Sequence, residues 1–373
     1  MMEFNFSETV IDRLKDQFRV DQVLLVGRAS FGLILILRVW LRRYGHVKVA
    51  LSPIVCQDVI AAVIESGCEP FFIDIDPVSG VVPKEEWIRA RLSGCRAAIV
   101  VHLYGKSSNV KEVKNIFDDV ECLVIDDAAQ AFGTLFEGNP AGSIGDVGLL
   151  SFGETKQIAT GGGAILLRDS NFADKIKELI NQQSYSNPDL VQNIRSEFRS
   201  QLSQTRLELI SAERDSAKLF KGSLKNFAGS LYSKLDLATL EALNLSLNQF
   251  PLEAQKRKNK SQIWKEALDG SRLEPIEMSE FCVPWRFVCR LPGLTWRQQF
   301  EVSDKLRNFG INVSNWYLPG HWFVHGGSLN LPGAEQLSRE VFQFWIDGSI
   351  SERQVLEQSR QIVEQVKSYG AKG

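Results

Sequence analysis

The sequence predicts an α/β fold: a mostly parallel central sheet with helices on both faces, followed by a smaller C-terminal α+β domain. Three observations carry this. Short apolar runs alternate with helix-period patterns through the first half of the chain, the rhythm of βαβ units. The chain has 373 residues, enough for a large domain and a smaller one. Its composition, 44% hydrophobic and 24% charged, is that of an ordinary soluble globular protein.

The elements follow in order. Residues 23–26 read as a strand, and Leu33, Ile36, Leu37 and Trp40 then recur on one face at helical spacing. A strand at 47–51 precedes a helix marked by Val59, Ile60, Val63 and Ile64. Residues 70–73 are strand-like, 85–92 helical, 97–101 a strand, 110–117 helical and 122–125 a strand; strands at 147–152 and 164–167 complete the series. Residues 174–225 are polar and helical in pattern. A long helix is expected over 238–268, a strand over 284–291, a helix over 297–309 and a loop over 310–327. An amphipathic helix over 351–366, through Val355, Ile362 and Val366, closes the chain. The boundary falls near residue 236, dividing a large domain, 1–235, from a small one, 236–373.

Charge and composition exclude several classes. A net charge of −2 offers no global field for nucleic acid or an anionic membrane. The basic run Lys256-Arg257-Lys258-Asn259-Lys260 reads as a solvated helix face. The longest apolar run, 31–37, is far short of a bilayer span and is flanked by Arg28 and Arg38. The first 18 residues lack the apolar centre of a signal peptide, so a cytoplasmic location is expected. Six cysteines without a CxxC pair and four dispersed histidines predict reduced, mostly buried thiols and no metal site.

Ligands of a parallel sheet gather at the carboxyl ends of its strands, and three segments with chemistry lie there. Ile125-Asp126-Asp127-Ala128-Ala129-Gln130-Ala131 puts two acids where a buried strand opens into a small-residue helix. Burying carboxylates is costly unless a cation meets them. The pair reads as a helix cap with one solvated acid, or as a carboxylate that keeps a pyridine nitrogen protonated. Ser151-Phe152-Gly153-Glu154-Thr155-Lys156, followed by Thr160-Gly161-Gly162-Gly163, puts a lysine past an apolar strand. It is an exposed loop lysine, or a nucleophile whose pKa desolvation has lowered. Gly27-Arg28-Ala29-Ser30-Phe31-Gly32 precedes the first long helix of the sheet. It is an N-cap, or a phosphate seat of free N–H groups and the Ser30 hydroxyl; it is neither GxGxxG nor a P-loop.

Each segment is weak alone; the order of small-residue loop, acid pair, Ser-x-x-x-x-Lys and glycines is more specific. With Val101-His102-Leu103-Tyr104-Gly105, Gly142-Ser143-Ile144-Gly145-Asp146, Gly162-Gly163-Ala164, Gly310-Ile311-Asn312-Val313-Ser314 to Tyr317 and Leu331-Pro332-Gly333-Ala334-Glu335, the chain resembles the DegT/DnrJ/StrS family of pyridoxal phosphate (PLP)-dependent sugar aminotransferases. The resemblance covers almost the whole chain. It implies the aspartate aminotransferase fold (fold type I) and a homodimer with its active site at the subunit interface. It implies an amino donor, commonly glutamate, and a nucleotide-linked keto-sugar as acceptor. By resemblance Lys156 would hold PLP covalently and move the proton, Asp127 would pair with the pyridine nitrogen, and Gln130 would lie near the ring hydroxyl. Ser151, with Ala29 and Ser30, would bind the phosphate. Relatives with histidine for the lysine remove a hydroxyl instead, and Lys156 argues against that branch.

The chain departs from the family in three places. Cys56 or Gln57 stands where an aromatic often stacks on the cofactor ring, Ala29 replaces a glycine, and residues 181–232 lack the usual pattern. His102, Trp316, Tyr317 and His321 are candidate substrate contacts; His102 is equally a core-edge histidine, and the aromatic loop of Trp316, Tyr317, His321 and His325 equally a subunit interface. Arg286 is a candidate partner for an anion or a structural ion pair. Two other functions stay open: another PLP reaction on this fold, such as a lyase or dehydratase, and a regulatory protein that keeps PLP or only the fold.

Overall fold

Strands enclosed between two helix layers must be apolar on both faces, and the apolar runs of the first half meet that requirement. The computed structural model describes residues 2–315, 317–367 and 369, with the side chains of 2–5 and 210–216 outside that description. The first part of the chain runs α1 (Met2–Phe18), β1 (Gln22–Val26), α2 (Ala29–Tyr44), β2 (Lys48–Leu51), α3 (Gln57–Glu65), β3 (Glu69–Phe72) and α4 (Lys84–Leu92). It continues through β4 (Ala97–Val101), α5 (Val110–Ile116), β5 (Leu123–Asp127), a small hairpin of β6 (Leu135–Phe136) and β7 (Asn139–Pro140), β8 (Val147–Ser151) and β9 (Gly163–Leu167). Then come α6 (Ser170–Gln182), α7 (Pro188–Ala212) and α8 (Leu237–Ala267). The last part holds β10 (Glu274–Pro275), β11 (Phe287–Arg290), α9 (Trp296–Asn308), β12 (Val313–Ser314), α10 (Trp322–His325), α11 (Pro332–Glu340), β13 (Val341–Phe344) and α12 (Glu352–Val366).

The main sheet has the order β1-β9-β8-β5-β4-β2-β3. β8, β5, β4, β2 and β3 are parallel, and β9 runs against both its neighbours. β4, β5 and β9 are buried along nearly their whole length. A second, antiparallel sheet has the order β10-β11-β13-β12. α8 connects the two. Leu243, Leu247 and Phe250 join a core with Val10, Leu14 and Phe18 of α1. Trp264, a few turns on, belongs to the core of the second sheet, 4.9 Å from the Phe344 ring and 5.6 Å from Phe287.

Several expectations need correction. The basic run is not wholly a solvated face: Arg257 is 3% and Lys260 6% exposed. Three residues apart, they share the inward side of α8 and donate to the carbonyls of Trp285 and Asp347. The expected loop over 310–327 contains β12 and α10. The strand expected over 284–291 is only Phe287–Arg290, because Pro284 offers no N–H and Trp285 instead bonds to Tyr104 O. Residues 181–232 form α7 and short 3-10 turns. α7 lies against α9, and Arg195 on it reaches Asp58 on α3 at 2.6 Å.

Candidate active site

The loops leaving the carboxyl ends of β2, β5 and β8 converge at one edge of the main sheet, and the segment after β8 folds back on itself. Phe152 N–H donates to Gly162 O, while Thr160 and Gly161 N–H both donate to Phe152 O. Gly162 has a φ of +83°, a conformation glycine adopts without a Cβ penalty. A Cβ at Gly163 would lie 2.7 Å from Ala29 N, so only glycine lets the start of α2 sit against the end of β8. Ser151, opposite Gly163 in the β8–β9 ladder, is thereby brought to Ala29 and Ser30. The Ser30 hydroxyl makes no hydrogen bond among the described residues, and Ser151 Oγ accepts only a long one, 3.5 Å, from Gly153 N–H. A helix start with uncommitted hydroxyls is a seat for an anion.

The two acids ending β5 are unequal. Asp126 is spent: Oδ1 faces His102 Nε2 at 2.6 Å and Oδ2 accepts from Ile144 N–H (2.8 Å) and Gly145 N–H (3.3 Å). Asp127, 2% exposed, accepts one hydrogen bond, from Ala129 N–H to Oδ1. Its Oδ2 takes none among the described residues. Burial raises its pKa, offset in part by the Ala129 hydrogen bond and by Lys156.

Lys156 Nζ makes no hydrogen bond or ion pair among the described residues and lies 5.4 Å from the centre of the Trp285 ring. Burial lowers its pKa; Cys56, Asp127 and Asp58 pull it back up, and Arg286 pushes it down further. Cys56 caps α3, its thiol 3.7 Å from Asp58 Oδ1, and burial pushes it up to about 12, so the sulfur is a neutral packing group. Gln57, its neighbour, is buried at the start of α3.

The facing wall comes from residues far apart in sequence. Gln130 Oε1 accepts from Tyr104 N–H at 2.7 Å, and its Nε2 donates to Tyr317 Oη at 2.5 Å. Gln157 holds the Gln130 carbonyl, and Trp285 Nε1 donates to Thr155 O. Tyr104 and Tyr317 have φ of +62° and +97°. Bulky residues adopt that region only when their surroundings hold them there, at about 1–3 kcal/mol each.

Thus Ala29, Ser30, Cys56, Asp127, Gln130, Ser151, Lys156 and Tyr317 come together. His102 and His321 do not present themselves to a ligand. His102 is fully buried; Ser108 N–H donates to its Nδ1 at 2.8 Å, leaving Nε2–H for Asp126. Nε2 braces Asp126 from behind and Nδ1 is taken by Ser108, so both ring nitrogens are engaged. His321 is fully buried beside Phe72 and Trp322, with Glu335 Oε1 3.4 Å from Nε2. Trp316 lies outside the described residues. Reading the sequence missed Trp285 as the ring beneath Lys156, Tyr104 as a wall, and Arg195 as the partner of Asp58; each depends on a contact more than a hundred residues away or on an unusual backbone angle. Among the described residues no three His, Cys, Asp or Glu side chains gather as a metal site, and no helix is long and apolar enough to cross a membrane.

The parallel strands deliver a buried lysine and a buried acid to one carboxyl edge, the place where an α/β sheet holds its ligand. The chain belongs to the DegT/DnrJ/EryC1/StrS aminotransferase family, whose pattern matches residues 12–355; the family's enzymes use PLP. It is 24% identical over 268 residues to the GDP-perosamine synthase of Vibrio cholerae, covering 69% of this chain and 71% of that protein. The matches to four further curated relatives each span about a third of that protein's length or less. Its fold is similar to PseC of Helicobacter pylori, an aminotransferase involved in pseudoaminic acid biosynthesis (TM-score 0.77, 18% identity, 98% of this chain and 92% of that one). It is also similar to the putative sugar aminotransferase Spr1654 of Streptococcus pneumoniae in its PMP form (TM-score 0.76, 16% identity, 97% and 92%).

Proposed function

We propose that this protein moves an amino group from glutamate to a nucleotide-linked keto-sugar, using PLP. The observation that carries the reading is a lysine amine and a buried carboxylate at one sheet edge, each with an uncommitted atom: Lys156 Nζ and Asp127 Oδ2. The acceptor class is supported by a relative named for GDP-perosamine. The lyase, dehydratase and regulatory readings are not favoured by membership of an aminotransferase family.

The residues fit the cofactor. Bound PLP supplies an electron sink for charge developing on the substrate carbon. In this reading Ala29 N–H, Ser30 and Ser151 hold its phosphate, and Asp127 meets the pyridinium with its open oxygen. Cys56 offers a small apolar surface where an aromatic is common. The second Nε2 hydrogen of Gln130, left over after the bond to Tyr317, is available to the ring hydroxyl. Lys156 holds the cofactor, and its lowered pKa favours the neutral amine that takes a proton from the donor carbon and returns one to the acceptor carbon. The reading includes a homodimer, a cytoplasmic location and a division of the chain at Asp236, the N-cap of α8, into residues 1–235 and 236–373.

The test is the visible spectrum of the PLP-loaded protein. An absorption band that falls with L-glutamate and returns with 2-oxoglutarate is expected, followed by turnover of a nucleotide keto-sugar that Lys156→Ala abolishes. A band indifferent to every amino acid, or transamination surviving in Lys156→Ala, overturns the reading. Light scattering on the same sample tests the dimer.

A further inference from the structure

Tyr104 and Tyr317 carry two hydroxyl hydrogens that the proposed chemistry leaves unused. Four non-glycine residues among those described have a positive φ, and two of them, Arg19 and Glu137, are exposed. The other two are these tyrosines, 1% and 3% exposed, with ring centres 6.1 Å apart. Buried bulky residues held in that conformation concentrate at functional sites. Both ends of the Tyr104 backbone are tied: its N–H donates to Gln130 Oε1, and its carbonyl accepts from Trp285 N–H at 2.8 Å. The Tyr104 hydroxyl is buried and makes no hydrogen bond among the described residues.

Gln130 decides what Tyr317 can do. A backbone N–H only donates, so the Gln130 atom facing Tyr104 N–H is the oxygen and the atom facing Tyr317 is the Nε2 amide. Tyr317 Oη must therefore accept, and its own hydrogen is left over; no group among the described residues takes it. Burial raises Tyr104 above the ordinary 10 of a phenol; burial, followed by Cys56 and Tyr104, raises Tyr317 well above it, so both stay donors at neutral pH. Tyr104 is thus near enough to act on Tyr317, yet the two hydroxyls are not bonded to each other. Cys56 is also the first group to oppose the burial that lowers Lys156, so the Tyr317 hydroxyl and the reactive amine flank one thiol.

Two neutral donors in a dry site suit an oxygen on which negative charge develops. A carboxylate or phosphate, charged throughout, calls for cations instead. The developing charge arises when an amine adds to a ketone. The carbon–nitrogen bond forms, the carbonyl π pair moves onto oxygen, and that oxygen leaves as water with the two hydrogens of the amine. We propose that the Tyr104 and Tyr317 hydroxyls together hold the carbonyl oxygen of the keto substrate and activate it toward the amine; this rests on the transaminase reading above. The keto acid left by the donor and the acceptor ketone react at the same place, so one pair of hydroxyls serves both.

The test uses PLP-loaded wild type, Tyr104→Phe and Tyr317→Phe. 2-Oxoglutarate carries no amine, so it binds the PLP-loaded protein without reacting, and an isotopic label at its ketone carbon isolates that carbonyl in the infrared. In wild type the carbonyl stretch is expected to fall in frequency on binding, and each variant to lose part of that shift. In glutamate-treated protein the rate at which 2-oxoglutarate restores the absorption band should drop about a hundredfold in each variant. Tyr104→Phe should melt no lower than wild type, because the hydroxyl it removes bonds to nothing. The resting absorption band should keep its position and pH dependence in both. A carbonyl stretch unmoved in wild type overturns the inference, as does a shift and rate left unchanged in either variant. An altered resting band in the variants assigns the hydroxyls to the cofactor and also overturns it. A wild type that shows the hydroxyl-dependent shift, but whose band ignores every amino acid, removes the transaminase reading and leaves the carbonyl site standing.

Discussion

Lys156 and Asp127 are pushed toward neutrality from opposite sides, and this fixes the sign of two pH effects. Burial lowers the Lys156 amine below its ordinary 10.5, so between its folded and unfolded pKa values the unfolded chain binds more protons than the folded one. The associated stability is present above 10.5 and lost as pH falls through the folded value. Lys156→Met is therefore expected to stabilise the PLP-free protein at neutral pH, with the gain vanishing above 10.5. For Asp127, burial raises the carboxyl above 3.8, so the folded chain holds its proton longer. Stability is full below 3.8 and declines as pH rises through the folded value, so Asp127→Asn gains at neutral pH and gains nothing below 3.8. Urea denaturation across pH checks both; destabilisation of either variant at neutral pH would mean that the native group serves the fold. The acid pair was legible in the sequence. What makes Asp127 rather than Asp126 the available member was not, because it depends on His102 and on the Ile144 and Gly145 amides closing around Asp126.

At the scale of elements, the atypical segment becomes part of the site's support. α7 carries Arg195 to Asp58, in the first turn of α3, whose preceding residues are Cys56 and Gln57. Both partners are about one-fifth exposed, 22% and 19%, so water screens the pair only in part. Asp58→Asn is expected to cost about 1.5–3 kcal/mol and to weaken PLP binding as the start of α3 loosens. In a double-mutant cycle with Arg195→Met the effects should be less than additive; simple additivity in urea unfolding would show that the two helices do not communicate through this pair. The helices and strands of the main sheet were legible because their periods are strong. α7 was legible only as a polar helical stretch, since its meaning lies in an ion pair spanning 137 residues. The inward turn of Arg257 and Lys260 was hidden for a similar reason: charge alone does not say which side of a helix a second domain will cover.

At the scale of the whole molecule, the expected two-domain division meets a continuous core. Trp285, Trp296, Tyr317, Trp322 and Leu337 from the last third of the chain are in one hydrophobic cluster with Leu51, Ile60, Phe72 and Leu103 from the first. Gly320 N–H donates to Pro53 O at 2.7 Å, and Gly333 and Ala334 N–H both donate to Asp74. The C-terminal part thus covers the loop after β2, and its Tyr317 and Trp285 close over Lys156 and Gln130. If the parts were independent, the second sheet and its core around Trp264 would outlast or precede the main sheet in unfolding. The shared cluster predicts one cooperative transition instead. Tryptophan fluorescence, weighted to the last third of the chain, and far-ultraviolet circular dichroism, weighted to all of it, should give the same urea midpoint. Tyr317→Phe, which removes the bond from Gln130, should lower that midpoint equally in both signals, reflecting a loss of about 0.5–1.5 kcal/mol of unfolding free energy. Two separated midpoints, or a Tyr317→Phe shift in one signal alone, would mean that the active site is assembled by docking of two autonomous units, and Tyr317 would then report their association rather than a common fold.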